Sequence, residues 1–195
     1  SILIAGVMIP ESGQPTLGDV SPPSQSRSSM DALVQGTSLG VKVFISVAAL
    51  LVVLLAMVSM CNQLLGLLPD VGGEAPTLQR ILGYVMAPLV WLTGVPWSEA
   101  HAAGSLMGTK IVLNELLAYL DMAALPAGTL SGRSITIMTY SMCGFANVGS
   151  LGILIGGLSR IAPERAGEIV ELGARSVLAG VLATMMTGAM VGVLM

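Results

Sequence analysis

Three long uncharged runs dominate the pattern of apolar and polar positions along the chain. Residues 43–61, 134–158 and 176–195 contain no Asp, Glu, Lys or Arg. Each run is close to or above the ~20 residues that a transmembrane helix needs. We therefore expect a membrane-spanning helix near each of them and an all-α polytopic membrane protein as the fold class.

The first forty residues predict two different segments. Residues 1–9 are apolar but too short to span a bilayer, and they lack the basic start of a signal peptide. We interpret them as the end of a truncated transmembrane helix. Residues 10–40 are rich in Ser, Pro and Gly, and Pro22-Pro23 excludes a continuous helix through that point. This stretch predicts a polar loop outside the membrane.

Two further segments are apolar but interrupted. Residues 78–95 contain Pro88 and the aromatic residues Tyr84 and Trp91, and Trp97 follows; aromatic side chains of this kind favour the headgroup level of a membrane. We predict an interfacial helix there, broken or bent at Pro88, with an ordinary kinked span as the alternative. In residues 98–124 charged or polar residues recur every few positions. That pattern predicts a re-entrant hairpin of two half-length helices, which is tolerated at membrane depth only inside protein or beside a cavity.

The run 134–158 also carries a helix-breaking centre. Three glycines accompany Asn147 and Ser150 between residues 144 and 152. Each glycine costs a helix interior about 1 kcal/mol relative to alanine. Close packing between helices explains one or two such glycines, but the added amide and hydroxyl favour a discontinuous transmembrane helix.

The composition supports the membrane class and excludes several functions. The chain is 54% hydrophobic and 10% charged, with a mean hydropathy of +0.86, whereas soluble domains carry about 25% charged residues. With a net charge of −3 and no basic run, nucleic acid is not an expected partner. Cys61, Cys143 and His101 have no spacing typical of a metal site. We expect no metal site, no cofactor and, without a nucleophile–base pair, no enzymatic activity.

Glu115 is the residue most indicative of function. A carboxylate at membrane depth costs several kcal/mol unless it is paired or faces water, and it can accept strong hydrogen bonds from hydroxyl groups. The structural alternative is an ion pair with Lys110. Asn147 and Ser150 lie three residues apart and share a helix face, which suits a neutral polar ligand; hydrogen bonding between helices is the alternative.

Two motifs give the chain a family resemblance. Residues 108–119 read GTKIVLNELLAY and resemble the G-x-K-x-x-x-N-E-F-V-A-Y signature of concentrative nucleoside transporters. Residues 143–153 read CGFANVGSLGI and resemble the C-G-F-A-N-x-x-S-x-x-I segment of that family. The chain departs from the family pattern at Leu116-Leu117, where Phe-Val is usual, and at Gly149, where serine is frequent.

The resemblance implies a cation-coupled symporter that imports nucleosides across the plasma membrane, the inner membrane of a bacterium. Residues 41–195 would form the C-terminal half of its transport domain, and the whole protein would be a homotrimer in the lipid bilayer. The coupling ion would be sodium or a proton, with its ligands in the N-terminal half of the transporter. A passive channel for nucleosides or other small polar solutes is the alternative.

The resemblance also assigns residues. Glu115 would bind the ribose hydroxyls, and Asn147 and Ser150 would complete the sugar site. Phe145 would line the pocket, and Asn114 would accompany Glu115. Separately, the arginines between the last two predicted spans indicate a cytoplasmic loop by the positive-inside rule. The C-terminus would then be periplasmic or extracellular.

Overall fold

The computed structural model of the protein describes residues 1–10, 26–70 and 75–195. Within these ranges all regular secondary structure is helical, which confirms the predicted all-α class. The helices, in chain order, are α1 (Ile2–Met8), α2 (Ser29–Leu65), α3 (Leu78–Leu92), α4 (Trp97–Val112), α5 (Glu115–Ala124), α6 (Gly132–Met142), α7 (Val148–Ile161), a short 3-10 helix (Pro163–Arg165) and α8 (Ala166–Leu194).

Helix α2 corrects the predicted loop. Residues 10–40 were expected to be a polar loop, yet α2 begins at Ser29. Ser28 is the cap: its hydroxyl accepts the Asp31 N–H at 3.2 Å. The Arg27 N–H donates to Asp31 Oδ2 at 2.9 Å and lowers the pKa of that carboxyl. The loop prediction overlooked this cap and the helical spacing of the apolar residues that follow. The double proline lies outside the described residues.

The length of α2 exceeds one bilayer crossing. Its 37 residues extend about 55 Å at 1.5 Å per residue, against a hydrocarbon core of about 30 Å. The predicted span, residues 43–61, occupies the C-terminal part of this helix. The remaining turns therefore project beyond the hydrocarbon if that part crosses the membrane, which stays a prediction.

Helix α3 is continuous where a break was considered. It passes through Pro88 and ends at Leu92, so the proline alters one helix rather than separating two. The chain then reverses at Gly94, whose φ of 101° suits glycine. Helices α3 and α4 differ in direction by 119° and pack closely: a Cβ at Gly104 would lie 2.5 Å from the Gly83 carbonyl oxygen.

Two helix–break–helix units follow. Helices α4 and α5 are interrupted at Leu113 and Asn114, inside the predicted hairpin near residues 98–124. The Thr109 hydroxyl on α4 donates to Asp121 Oδ2 on α5 at 3.1 Å, so the chain folds back at the break. Helices α6 and α7 occupy the predicted span 134–158 and are interrupted at residues 143–147. Whether the first unit re-enters the membrane stays a prediction.

Among the described helices, α8 is the one best suited to cross a membrane by its length and apolar composition. Residues Pro163–Leu194 are long and apolar enough to span a membrane, and the bent pair α3–α4 passes the same length and composition test. The span was expected near residues 176–195, but the helix begins at Ala166. Its charged start is stabilised by an ion pair of 2.6 Å between Arg165 and Glu168.

The buried core lies between α3, α4, α6 and α8. Val90, Met107 and Met138 are among its least exposed members. The Arg133 guanidinium, at the start of α6, donates to the carbonyl oxygens of Gly94 and Gly192. This side chain therefore connects the α3–α4 turn to the C-terminal end of α8. It stabilises the packing of the helices that contain the two breaks.

Candidate functional site

The first break places Glu115 at the start of a helix. Helix α4 ends at Val112, and Asn114 adopts an extended conformation, with φ of −166° and ψ of 172°. The Asn114 Oδ1 accepts the Leu117 N–H at 2.9 Å, so Asn114 is the N-cap of α5. Glu115 is the first residue of that helix, where the helix dipole stabilises a negative charge.

The second break repeats this design at α7. Asn147 is extended and caps the helix by accepting the Ser150 N–H on Oδ1 at 2.6 Å. The Ser150 hydroxyl accepts the Asn147 N–H at 3.2 Å, which completes a capping box. The same hydroxyl faces the carbonyl oxygen of Asn147 at 2.9 Å and that of Phe145. Ser150 is thus engaged with local backbone groups.

One contact joins the two breaks. The Asn147 Nδ2 donates to Glu115 Oε2 at 3.4 Å. This distance lies beyond the usual 2.7–3.2 Å range for N–H···O bonds, so the bond is weak. Asn147 is buried, with 3% of its surface exposed, while Glu115 is half-buried. The starts of α5 and α7 therefore meet at the Glu115 carboxylate through one weak hydrogen bond.

Phe145 and Ser150 border a separate apolar cavity. This cavity has a volume of about 520 Å³ and lies between α7 and α8. Phe145 is 78% exposed. Glu115, Asn114 and Asn147 do not line the cavity. Of the five predicted site residues, Phe145 and Ser150 line this cavity, and Ser150 also joins it to the polar contact through its hydrogen bonds with Asn147.

Close packing against α8 holds the second break in place. A Cβ at Gly144 would lie 2.5 Å from Thr184 Cγ2, and one at Gly180 would lie 2.7 Å from Ala146 Cβ. Both values are too short for real carbon contacts. The glycines on both sides of this interface therefore let the broken segment lie directly on α8.

The α5 helix is also tied to α6. The Tyr119 hydroxyl donates to the Thr139 carbonyl oxygen at 2.7 Å. Because Tyr119 lies one turn after Glu115, this bond limits how far the start of α5 can move relative to the second break.

Lys110 is buried beside the first break, which its place in the sequence as a possible ion-pair partner of Glu115 did not predict. The structural alternative for Glu115 was an ion pair with this lysine, and no direct ion pair joins the two, although both are described. Lys110 is fully buried. Within the described ranges its Nζ has no hydrogen-bond partner. The sequence did contain a signal for this residue, because an ionisable side chain lies in the same apolar segment as Glu115.

The described residues offer no protein cage for a metal. Among residues 1–10, 26–70 and 75–195, no group of three His, Cys, Asp or Glu side chains could hold an ion. Cys61 and Cys143 are both free. Cys143 is exposed at the second break.

These features define a class of protein. Discontinuous helices whose polar ends face one another are how many secondary transporters bind solutes and coupling ions. The chain is accordingly an all-α membrane protein with its polar chemistry concentrated at two helix breaks.

Comparison with known families gives the particular identity. The family model described as Na+ dependent nucleoside transporter C-terminus matches residues 1–192. The chain therefore belongs to this family of nucleoside transporters.

Curated relatives agree. The uncharacterized transporter YutK of Bacillus subtilis is 40% identical over 164 residues, which are 84% of this chain and 40% of YutK. The putative nucleoside permease NupX of Escherichia coli is 38% identical over 203 residues, covering 98% of this chain and 47% of NupX. Sodium/nucleoside cotransporter 1 of Sus scrofa is 30% identical over 180 residues, covering 85% of this chain and 28% of its own length. This chain thus spans half or less of these relatives, which are named as transporters rather than enzymes or channels.

Solved structures show the same fold. A variant of CNTnw in an intermediate state has a TM-score of 0.87 and 35% identity, covering all of this chain and 48% of CNTnw. CNTnw in an inward-facing substrate-bound state has a TM-score of 0.79 and 36% identity, covering 96% of this chain and 45% of CNTnw. This chain therefore shares the fold of the matching part of CNTnw.

Proposed function

We propose that this chain is the C-terminal part of a cation-coupled nucleoside symporter and that its two helix breaks form the ribose-binding side of the substrate site. The observation that carries the proposal is the weak Asn147–Glu115 hydrogen bond between the starts of α5 and α7. A carboxylate can accept hydrogen bonds from two adjacent sugar hydroxyls, and an amide can donate to a hydroxyl oxygen.

Each site residue has a distinct role in this proposal. Glu115 accepts from the ribose hydroxyls, and Asn147 donates its side-chain N–H to one of them. Asn114 and Ser150 position these two groups through their caps, and the Ser150 hydroxyl reaches the sugar only by exchanging a backbone partner. The exposed Phe145 ring covers the apolar side of the ligand.

Sodium is the coupling ion that we propose. The family description and the pig cotransporter both name sodium. Following the family resemblance, we propose that the cation ligands lie in the N-terminal half of the transporter. We also keep the homotrimer, the bacterial inner membrane and the periplasmic or extracellular C-terminus as proposals.

Binding of sugar-modified ligands to the full-length transporter tests the ribose assignment. Uridine and 2′,3′-dideoxyuridine share a base and differ only in the two hydroxyls. We expect the dideoxy ligand to bind at least 10-fold more weakly, because it leaves Glu115 and Asn147 without their partners. Equal affinities would refute the assignment.

Accumulation distinguishes the symporter from the passive channel. Vesicles with an inward sodium gradient should concentrate uridine above the external level. Equilibration without accumulation would refute cation coupling and support a channel.

A further inference from the structure

Lys110 is a buried cation that the proposed site does not yet use. Its residue surface is 0% exposed, and its Nζ has no hydrogen-bond partner within the described part of the chain. An ammonium group carries three donors. Burying such a charge without a partner is strongly unfavourable, so its position needs an electrostatic explanation.

The position of Lys110 in α4 supplies part of that explanation. It lies in the last turn of the helix, immediately before the first break. The carbonyl groups at a helix C-terminus carry partial negative charge and stabilise a cation there. Helix α4 packs against α3, α5, α6 and α7, so this end of the helix is enclosed by the elements that form the site.

Glu115 supplies the opposite charge. Glu115 is the first residue of α5 and follows Lys110 by five positions, across the break at Leu113 and Asn114, and the Lys110 Nζ makes no direct bond to its carboxylate. The other carboxylate of α5, Asp121, accepts the Thr109 hydroxyl instead. Tyr119 donates its hydroxyl to a backbone carbonyl. The lysine and the glutamate thus flank the same break as groups of opposite charge.

We propose that Lys110 is a positioning residue of the ribose site, whose buried ammonium attracts the Glu115 carboxylate and holds it at the start of α5. This inference rests on the ribose assignment above. The attraction acts at a distance, so it leaves the Glu115 oxygen atoms available for Asn147 when the site is empty and for sugar hydroxyls when it is filled. A direct ion pair would instead occupy those oxygens.

A double-mutant cycle in the full-length transporter tests this role. Lys110→Gln should weaken uridine binding about 10-fold, which corresponds to the coupling free energy typical of interacting neighbours. Lys110→Arg keeps the charge and should restore most of the affinity. In the Glu115→Gln background, Lys110→Gln should cause no further loss. Equal losses with and without Glu115 would overturn the proposal.

A matched control separates positioning from folding. Met107 lies three residues earlier on α4 and is also 0% exposed. Met107→Gln introduces the same buried amide without changing the charge. It should lower the melting temperature but leave the ratio of uridine to 2′,3′-dideoxyuridine affinity unchanged, whereas Lys110→Gln should lower that ratio. If both variants lower the ratio equally, Lys110 has only a structural role.

Stability gives a second measurement if Lys110→Gln alone does not fold. Glu115→Gln leaves the lysine without its opposite charge, so Lys110→Met should raise the melting temperature more in the Glu115→Gln background than in the wild type. An equal change in both backgrounds would contradict the electrostatic link.

The two proposals fail in different ways. A wild-type transporter that binds uridine and 2′,3′-dideoxyuridine equally refutes the ribose assignment and this inference with it. A wild type that discriminates between them, with independent effects of Lys110 and Glu115, refutes only the positioning role.

Discussion

Replacement of Glu115 by Gln changes one property of the site, the negative charge at the start of α5. Glutamine has nearly the same shape, so the Asn147 contact at 3.4 Å loses its charge but not its geometry. A hydrogen bond to a charged group contributes about 1.5–3 kcal/mol, and a neutral one about 0.5–1.5 kcal/mol. The difference is therefore about 1–1.5 kcal/mol for each ribose hydroxyl.

Two hydroxyls make the expected loss about 2–3 kcal/mol, equivalent to a uridine Kd that is roughly 30- to 150-fold higher. Isothermal titration of the purified full-length transporter measures this change directly. The affinity for 2′,3′-dideoxyuridine should change much less, because that ligand cannot use the carboxylate. The loss of affinity should thus be largest for ligands that carry both sugar hydroxyls.

Asp121→Asn is the matched control for this experiment. It removes the same charge from the same helix, at an exposed residue that accepts the Thr109 hydroxyl at 3.1 Å. We expect its uridine affinity to stay within about two-fold of wild type, since asparagine keeps an oxygen atom that can accept the Thr109 hydroxyl. Unchanged uridine affinity in Glu115→Gln, or an equal loss in Asp121→Asn, would refute the assigned role.

Three further predictions follow from the breaks and the coupling. Asn147→Asp keeps the capping oxygen but places a second carboxylate beside Glu115 at a buried position, so uridine binding should weaken at least 10-fold and the melting temperature should fall; an unchanged Kd would count against the amide donor. Gly144→Val should destabilise the protein by about 1–3 kcal/mol through overlap with Thr184, measured by thermal unfolding, and Thr184→Ala should recover part of the loss. Uridine uptake should require a sodium gradient and persist with a protonophore; the opposite pattern would assign proton coupling.

The positions of both breaks were predictable because local residues produce them. Glycine weakens a helix interior, and asparagine side chains compete for backbone hydrogen bonds. These effects act within a few residues, so they can be recognised in the sequence. The role of Asn114 and Asn147 as N-caps is equally local, but we predicted them only as ligand-binding residues. The start of α2 was likewise predictable from local residues, because Ser28 is an ordinary helix cap.

The composition of the site was less predictable. Asn147 and Glu115 are 32 residues apart in the chain, and only the family resemblance placed them together beforehand. The local roles of Ser150 and the burial of Lys110 had no sequence signal of comparable strength. A motif indicates which residue types are present, but hydrogen-bond partners depend on how neighbouring helices pack.

The sequence by itself determined the membrane class, the apolar runs and the weak points in the helices. Lipid selects apolar side chains over the length of each crossing, and helix breaking is a local property of the backbone. Only the tertiary structure decided which side chains share one site. The glycine-mediated contact of the second break with α8 and the fold of α5 back along α4 bring the two helix starts together. The same packing encloses Lys110 beside the break, because burial depends on elements distant in the chain.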